Sequence, residues 1–157
     1  MAPITAREFM STAVLTFRPK SDVLDAVRKL IEHCISGAPV VDARGRYLGM
    51  FTERCSMQVL LDAAYEQLPI TAVASFMDAE AQTIGPETHL LSVAQVFLLT
   101  PYRRLPVLQD EKLIGIVSRQ DVMKCWMHMM DSANVDSREA VLVQFSEMFQ
   151  WGEAPLA

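Results

Sequence analysis

Apolar positions recur along this chain in two rhythms, and their alternation predicts the elements. After Ser21, a suitable helix N-cap, Val23, Leu24, Ala26, Val27, Leu30, Ile31 and Cys34 follow at helical spacing. Ala38–Val41 and Tyr47–Phe51 are short apolar runs around the turn-like stretch Asp42-Ala43-Arg44-Gly45-Arg46, which predicts a strand pair. A second helix is expected over Glu53–Tyr65. The same series then returns. Thr88 is placed to cap a helix carrying Leu90, Leu91, Val93, Ala94, Val96, Phe97 and Leu98, interrupted only by His89, Ser92 and Gln95. Leu105–Leu108 and Leu113–Val117 flank a second turn, Gln109-Asp110-Glu111-Lys112, and Arg119–Met130 closes the series as a helix. Short extended pieces, Val14–Phe17 and Gln82–Ile84, lead into each copy and meet a proline two residues on.

The return is a sequence repeat as well as a pattern. At a shift of 67, Phe9-Met10 falls on Phe76-Met77, Thr16 on Thr83, Pro19 on Pro86, Leu24 on Leu91 and Pro39-Val40 on Pro106-Val107. After one deletion the shift is 66, and Gly49 meets Gly115, Thr52 meets Ser118 and Met57 meets Met123. The deletion lies between the two turns, where a change of length is tolerated. Each copy is thus a β-α-β-β-α unit, over 6–66 and 73–131. The expected fold class is α/β (α+β), with the two repeats packed about a pseudo-twofold axis. A C-terminal helix over 136–151 lies outside the repeat. Asp136 with Glu139 resembles a capping box, Val141, Leu142, Phe145, Met148 and Phe149 form a stripe, and Gly152 is a stop.

Composition narrows the class. Of 157 residues 51% are hydrophobic and 21% charged, so the chain is too apolar for disorder. The net charge of −5 argues against coating nucleic acid. The longest uncharged run, Thr88–Tyr102, is broken by His89, Ser92, Gln95 and Pro101, so no membrane span is expected. Met1–Arg7 shows no secretory pattern. Cys34, Cys55 and Cys125 are an odd number without CxxC spacing, as expected of reduced thiols in a cytoplasm.

The segments Ser36-Gly37-Ala38-Pro39-Val40-Val41-Asp42 with Leu48-Gly49-Met50-Phe51-Thr52, and Arg103-Arg104-Leu105-Pro106-Val107-Leu108 with Leu113-Ile114-Gly115-Ile116-Val117-Ser118-Arg119-Gln120-Asp121, resemble a tandem pair of CBS domains, a Bateman module. Phe9-Met10 and Phe76-Met77 are similar to the short Phe-Met lead-in of that family. The resemblance covers about Ala6–Met130 and implies a regulatory module. Its ligand would be an adenosine-containing small molecule (AMP, ADP, ATP or S-adenosylmethionine), held in clefts between the repeats. It also implies a flat homodimer paired through helices. No catalytic or transport domain accompanies the repeats in this chain, so a stand-alone sensor of an unknown regulated protein is expected, with no cofactor.

The resemblance implies the site residue by residue. Ser118-Arg119-Gln120-Asp121 opens the last helix of copy two, where free N–H groups and the dipole favour a phosphate. Asp121 would accept the ribose hydroxyls, although Ser-x-x-Asp also reads as a simple helix cap. Tyr102, Arg103, Arg104, Leu105 and Pro106 would line the cleft. Tyr102 would stack on the base and the arginines would meet phosphate, while Thr83 and Ile84 form the other wall. Residues 100–125 carry five basic residues (Arg103, Arg104, Lys112, Arg119, Lys124) and three acidic ones (Asp110, Glu111, Asp121), a local +2. The copy-one counterparts are Thr16, Phe17, Ser36, Gly37, Ala38, Pro39 and Thr52. There Cys55 replaces the carboxylate and Glu53 adds negative charge, so that cleft is expected to be weak or empty.

Other chemistry is poorly represented. The run Cys125, Met127, His128, Met129, Met130 offers soft ligands, but Met57 and Leu60-Leu61 at aligned positions make an apolar helix face the better reading. His33 and His89 have no ligand at metal spacing, and His89 is expected to face solvent. No GxSxG, HExxH, Walker A or GxGxxG pattern occurs, so no enzyme is expected. The main rival is a ligand-free dimerisation scaffold with degenerate clefts.

Overall fold

A computed structural model describes residues 3–65, 71–133 and 135–150. After a short α1 (Ala6–Phe9), the first copy runs α2 (Val23–Glu32), β1 (Gly37–Val41), β2 (Tyr47–Thr52) and α3 (Glu53–Tyr65). The second runs α4 (Leu90–Leu99), β3 (Arg104–Gln109), β4 (Lys112–Ser118) and α5 (Arg119–Ser132), and α6 (Val135–Gln150) follows. The expected α-β-β-α series is present twice, each of these elements within two residues of its expected bounds, but the leading pieces Val14–Phe17 and Gln82–Ile84 form no strand and contribute one bridge residue each, Phe17 and Ile84.

The helix starts show how local hydrogen bonding sets a boundary. Asp22, not Ser21, caps α2, its carboxylate accepting the Leu24 N–H at 3.0 Å. The Ser21 hydroxyl instead accepts the Arg18 N–H, at 3.1 Å. In copy two the Thr88 hydroxyl accepts the Gly85 N–H at 3.2 Å, so the N-cap position of α4 passes to His89. His89 is half-buried in an antiparallel bridge with Thr5, rather than facing solvent. Helix α6 begins at Val135, which puts Asp136 in its first turn instead of at the cap. Gly152 and the end of the expected tail helix lie outside the described residues. Leu24, Ile31 and Cys34, read as part of the buried stripe of α2, are exposed; Val23, Ala26 and Leu30 are its buried face.

The residues gather into two compact units, and neither is a continuous copy. One holds Ala13–Thr83 and Leu108–Ile114. Its core is Phe17, Val23, Ala26, Leu30, Ala38, Val40, Phe51, Cys55, Val59 and Val73. Strands β1 and β2 pair antiparallel, Ala38 opposite Phe51 and Pro39 opposite Met50. Phe17 lies parallel beside Val40, and Asp78 bridges the other edge at Met50, with N–H···O distances of 2.9 and 2.8 Å. The other unit holds Met1–Thr12, Ile84–Val107 and Gly115–Ala157. It repeats the arrangement: Ile84 lies parallel beside Val107, and Ser11 bridges Ile116 with both bonds at 2.9 Å. The edge of each sheet is therefore closed by a segment from outside its own copy, which protects it from pairing elsewhere.

Candidate functional site

The copy-two site begins where the strand ladder stops. Ile84 donates its N–H to the Pro106 carbonyl at 3.0 Å. Proline has no N–H to return, so the parallel ladder cannot extend back toward Gln82 and Thr83. Leu105 and Pro106 are fully buried, Tyr102 and Arg104 half-buried and Arg103 exposed. Thr83 is half-buried and falls in the other compact unit, directly before Ile84 in the chain.

Ser118 ends β4 and caps α5. Asp121 Oδ2 accepts both the Ser118 N–H at 2.8 Å and its hydroxyl at 2.9 Å, and the Asp121 N–H donates to Ser118 Oγ at 3.2 Å. This is a complete capping box, so Ser118 and Asp121 do shape the helix start as the simpler reading requires. One carboxylate oxygen, Oδ1, is left without a hydrogen bond among the described residues.

Arg104 stands beside this cap. Burial pushes its guanidinium below its ordinary pKa, and the Asp121 carboxylate acts against that shift. Its Nε is buried with no hydrogen-bond partner. A buried donor left unmade is costly, so this atom is one place where an acceptor on a ligand would gain. Arg119 faces its own chain: Nη2 donates to the Phe97 carbonyl at 3.3 Å and to the Tyr102 carbonyl at 3.4 Å. Its guanidinium carbon sits 6.0 Å from the centre of the Phe97 ring.

Copy one has the same frame with different chemistry. Phe17 donates to the Pro39 carbonyl at 2.9 Å, and Ala38 and Pro39 are buried. Thr16 and Thr52 are half-buried. The Thr52 hydroxyl donates to Cys55 Sγ and accepts the Cys55 N–H, both at 3.3 Å. Gly37 occupies the position of Arg104, and a Cβ there would lie 3.0 Å from Thr52 Cγ2. The two charged groups that feel each other in copy two are thus both missing from copy one, replaced by a glycine and a buried thiol.

The CBS domain family profile matches residues 6–54 and 73–128. The chain belongs to the CBS domain family. An uncharacterized protein of Methanocaldococcus jannaschii, MJ1225, is 27% identical over 149 residues, 92% of this chain and 51% of that protein. The chain thus spans about half the length of that relative. The CBS domain-containing protein YhcV of Bacillus subtilis is 27% identical over 119 residues, 75% of this chain and 82% of its own length. Among solved structures, CBSX2 in complex with AMP is 27% identical, with a TM-score of 0.72 over 80% of this chain and 97% of that one. The CBS pair expected from the motifs is therefore present, and so is its mixed α/β fold.

Within the CBS pair, sequence reasoning found the positions of the cap and the loop but missed two features. One is the direction of Arg119, whose partners are carbonyls that no motif marks. The other is the electrostatic influence of the Asp121 carboxylate on the Arg104 guanidinium, foreshadowed only by the joint change to Gly37 and Cys55. Among the described residues no group of His, Cys, Asp and Glu could hold a metal ion. Burial, with a smaller effect of the Glu8 carboxylate, raises the Cys125 pKa, the opposite of a thiol poised to ligate. No helix among the described residues is long and apolar enough to cross a membrane.

Proposed function

We propose that this chain is a regulatory, non-catalytic CBS pair of the cytoplasm that binds an adenine nucleotide on its copy-two unit. The observation that carries the reading is the half-buried Arg104 with an unpartnered Nε, in the field of the Asp121 carboxylate, whose Oδ1 is free among the described residues, at the N-terminus of α5. An anionic group meets a cation and a helix N-terminus there, and a hydroxyl donor meets a carboxylate. Leu105, Pro106 and Ile84 supply an apolar wall, with Tyr102 as a ring to stack on the base. The likeness to CBSX2 in complex with AMP supports the same class of ligand. Copy one, with Gly37, Glu53 and Cys55, binds weakly or not at all. Binding acts by favouring one arrangement of the pair over others, to the extent that the nucleotide's affinity differs between them.

A thermal-shift series with AMP, ADP, ATP, NAD and S-adenosylmethionine tests the reading, since a ligand of the folded state alone raises Tm. The adenine nucleotides are expected to raise it, and Asp121→Ala to abolish the rise. Calorimetry should then give one site per chain, and two equal sites would overturn the assignment to copy two. S-adenosylmethionine as the sole stabiliser would replace the ligand.

A second reading is favoured by a separate observation. Met57, Leu60, Leu61 and Tyr65 of α3 are exposed, as are Met123, Trp126 and Met127 of α5. Such apolar faces suit a homodimer paired through these helices. A chain that dimerises and responds to none of these ligands would be the scaffold.

A further inference from the structure

The two copies finish their first helix in different ways. In copy one, α2 closes on itself. Cys34 donates its N–H to the Ile31 carbonyl and Ile35 donates to the Leu30 carbonyl, both at 3.1 Å, with Cys34 at φ 52°. This is the Schellman closure, which satisfies carbonyls left over at a helix end. In copy two the residue aligned with Cys34 is Pro101. Proline has no N–H to give, and Thr100 before it is extended, at φ −126° and ψ 159°. Thr100 still closes Val96, through its N–H at 3.0 Å and its hydroxyl at 2.7 Å. The carbonyl of Phe97, which aligns with Leu30, receives Arg119 Nη2 instead.

Arg119 therefore replaces the missing closure. A cation at the first position of α5 is opposed by that helix's own dipole, while the carbonyl end of α4 attracts it. The same nitrogen reaches the Tyr102 carbonyl, at the centre of the loop that carries Tyr102, Arg103 and Arg104. Copy one has Glu53 at this position, which cannot donate from its side chain, and its loop is tied by the Glu53 backbone N–H to the Ser36 carbonyl at 2.9 Å.

We propose that Arg119 is the positioning residue of the copy-two site. It clips the end of α4 and the 100–104 loop to the start of α5, and it acts on the ligand through that loop without meeting the phosphate itself. The binding part of the proposal rests on the nucleotide reading above.

Two measurements on the full chain test it. Amide hydrogen exchange without ligand compares wild type with Arg119→Ala. Exchange is expected to rise at least about tenfold over 98–104, the cost of a lost hydrogen bond to a charged group. Amides over 37–52 should stay at their wild-type rates. Unchanged exchange over 98–104, or a rise everywhere, would overturn the clip. Calorimetry with adenosine, AMP and ATP then separates positioning from contact. A clip predicts the same fold-loss for all three and the same salt dependence as wild type. A loss that grows from adenosine to ATP, and shrinks at high salt, would show that Arg119 meets phosphate and overturn the proposal. A wild type that binds none of the three overturns the nucleotide reading, and the exchange result still decides the clip.

Discussion

Cys34 is a side chain held where glycine belongs. Its φ of 52° lies in the left-handed region, which costs an L-residue roughly 1–2 kcal/mol, and the Schellman closure of α2 requires it there. Glycine removes that strain but adds freedom to the unfolded chain, worth about 0.4–1 kcal/mol in the other direction. Cys34→Gly is therefore expected to stabilise by about 0.5–1 kcal/mol and raise Tm by roughly 2 °C in a thermal melt. A lower Tm would mean that the thiol, exposed and 3.7 Å from the Ile31 carbonyl, contributes more than the strain costs. At this scale the sequence was only partly legible. The caps stand one residue after Ser21 and Thr88 because turns claim both hydroxyls, which accept the N–H of Arg18 and of Gly85. Asp22 then caps α2 with its carboxylate, while His89 holds the N-cap position of α4 with no side-chain bond. Ser118, Asp121 and Thr52 could be placed because a strand end and a helix start bracket them. Arg119 could not, since its partners lie at sequence separations of 22 and 17.

The elements themselves follow closely from the hydrophobic pattern, and Glu53–Tyr65 has the expected bounds. Local periodicity decides each of them, so little long-range information is needed. What the pattern could not show is that the outer edge of each sheet is closed by a segment from elsewhere: Asp78 on β2 and Ser11 on β4. The signal was there in Gly49 and Gly115, aligned across the copies, whose use is close backbone approach. A Cβ on Gly49 would lie 2.7 Å from the Asp78 carbonyl oxygen, which is backbone and already committed to Met50. On Gly115 the nearest atom is Met10 Sδ, at 2.5 Å, on a side chain that can move, with the Ser11 carbonyl at 3.0 Å. Gly49→Ala should therefore cost about 1–3 kcal/mol in a urea titration, in the range of other overpacking changes. Gly115→Ala should cost less, and the reverse order would show that Met10 is the more rigid neighbour.

For the whole molecule, the apolar excess of the composition has to be placed somewhere. Much of it is in the cores, but Met57, Leu60 and Leu61 are 56%, 61% and 48% exposed on α3, and Met123, Trp126 and Met127 are 57%, 45% and 48% exposed on α5. No residue of α5 is fully buried. A helix whose large apolar side chains stay wet gains nothing from them within its own chain, and burial in a partner would recover roughly 25 cal/mol for each Å² of apolar surface. The homodimer proposed above is therefore expected to fail when charge is set into these faces. Leu60→Glu and Met127→Glu should each shift the mass in light scattering from twice 17.6 kDa to 17.6 kDa. Far-ultraviolet circular dichroism should stay unchanged, because neither side chain contributes to a core. The change should appear as a dissociation that reverses at high protein concentration, since a carboxylate in a desolvated interface weakens association by several kcal/mol without touching the fold. A wild-type chain that runs as a monomer at every concentration would remove the dimer. It would leave these faces to the regulated protein, and Leu60→Glu and Met127→Glu would then be silent in mass and in nucleotide affinity alike.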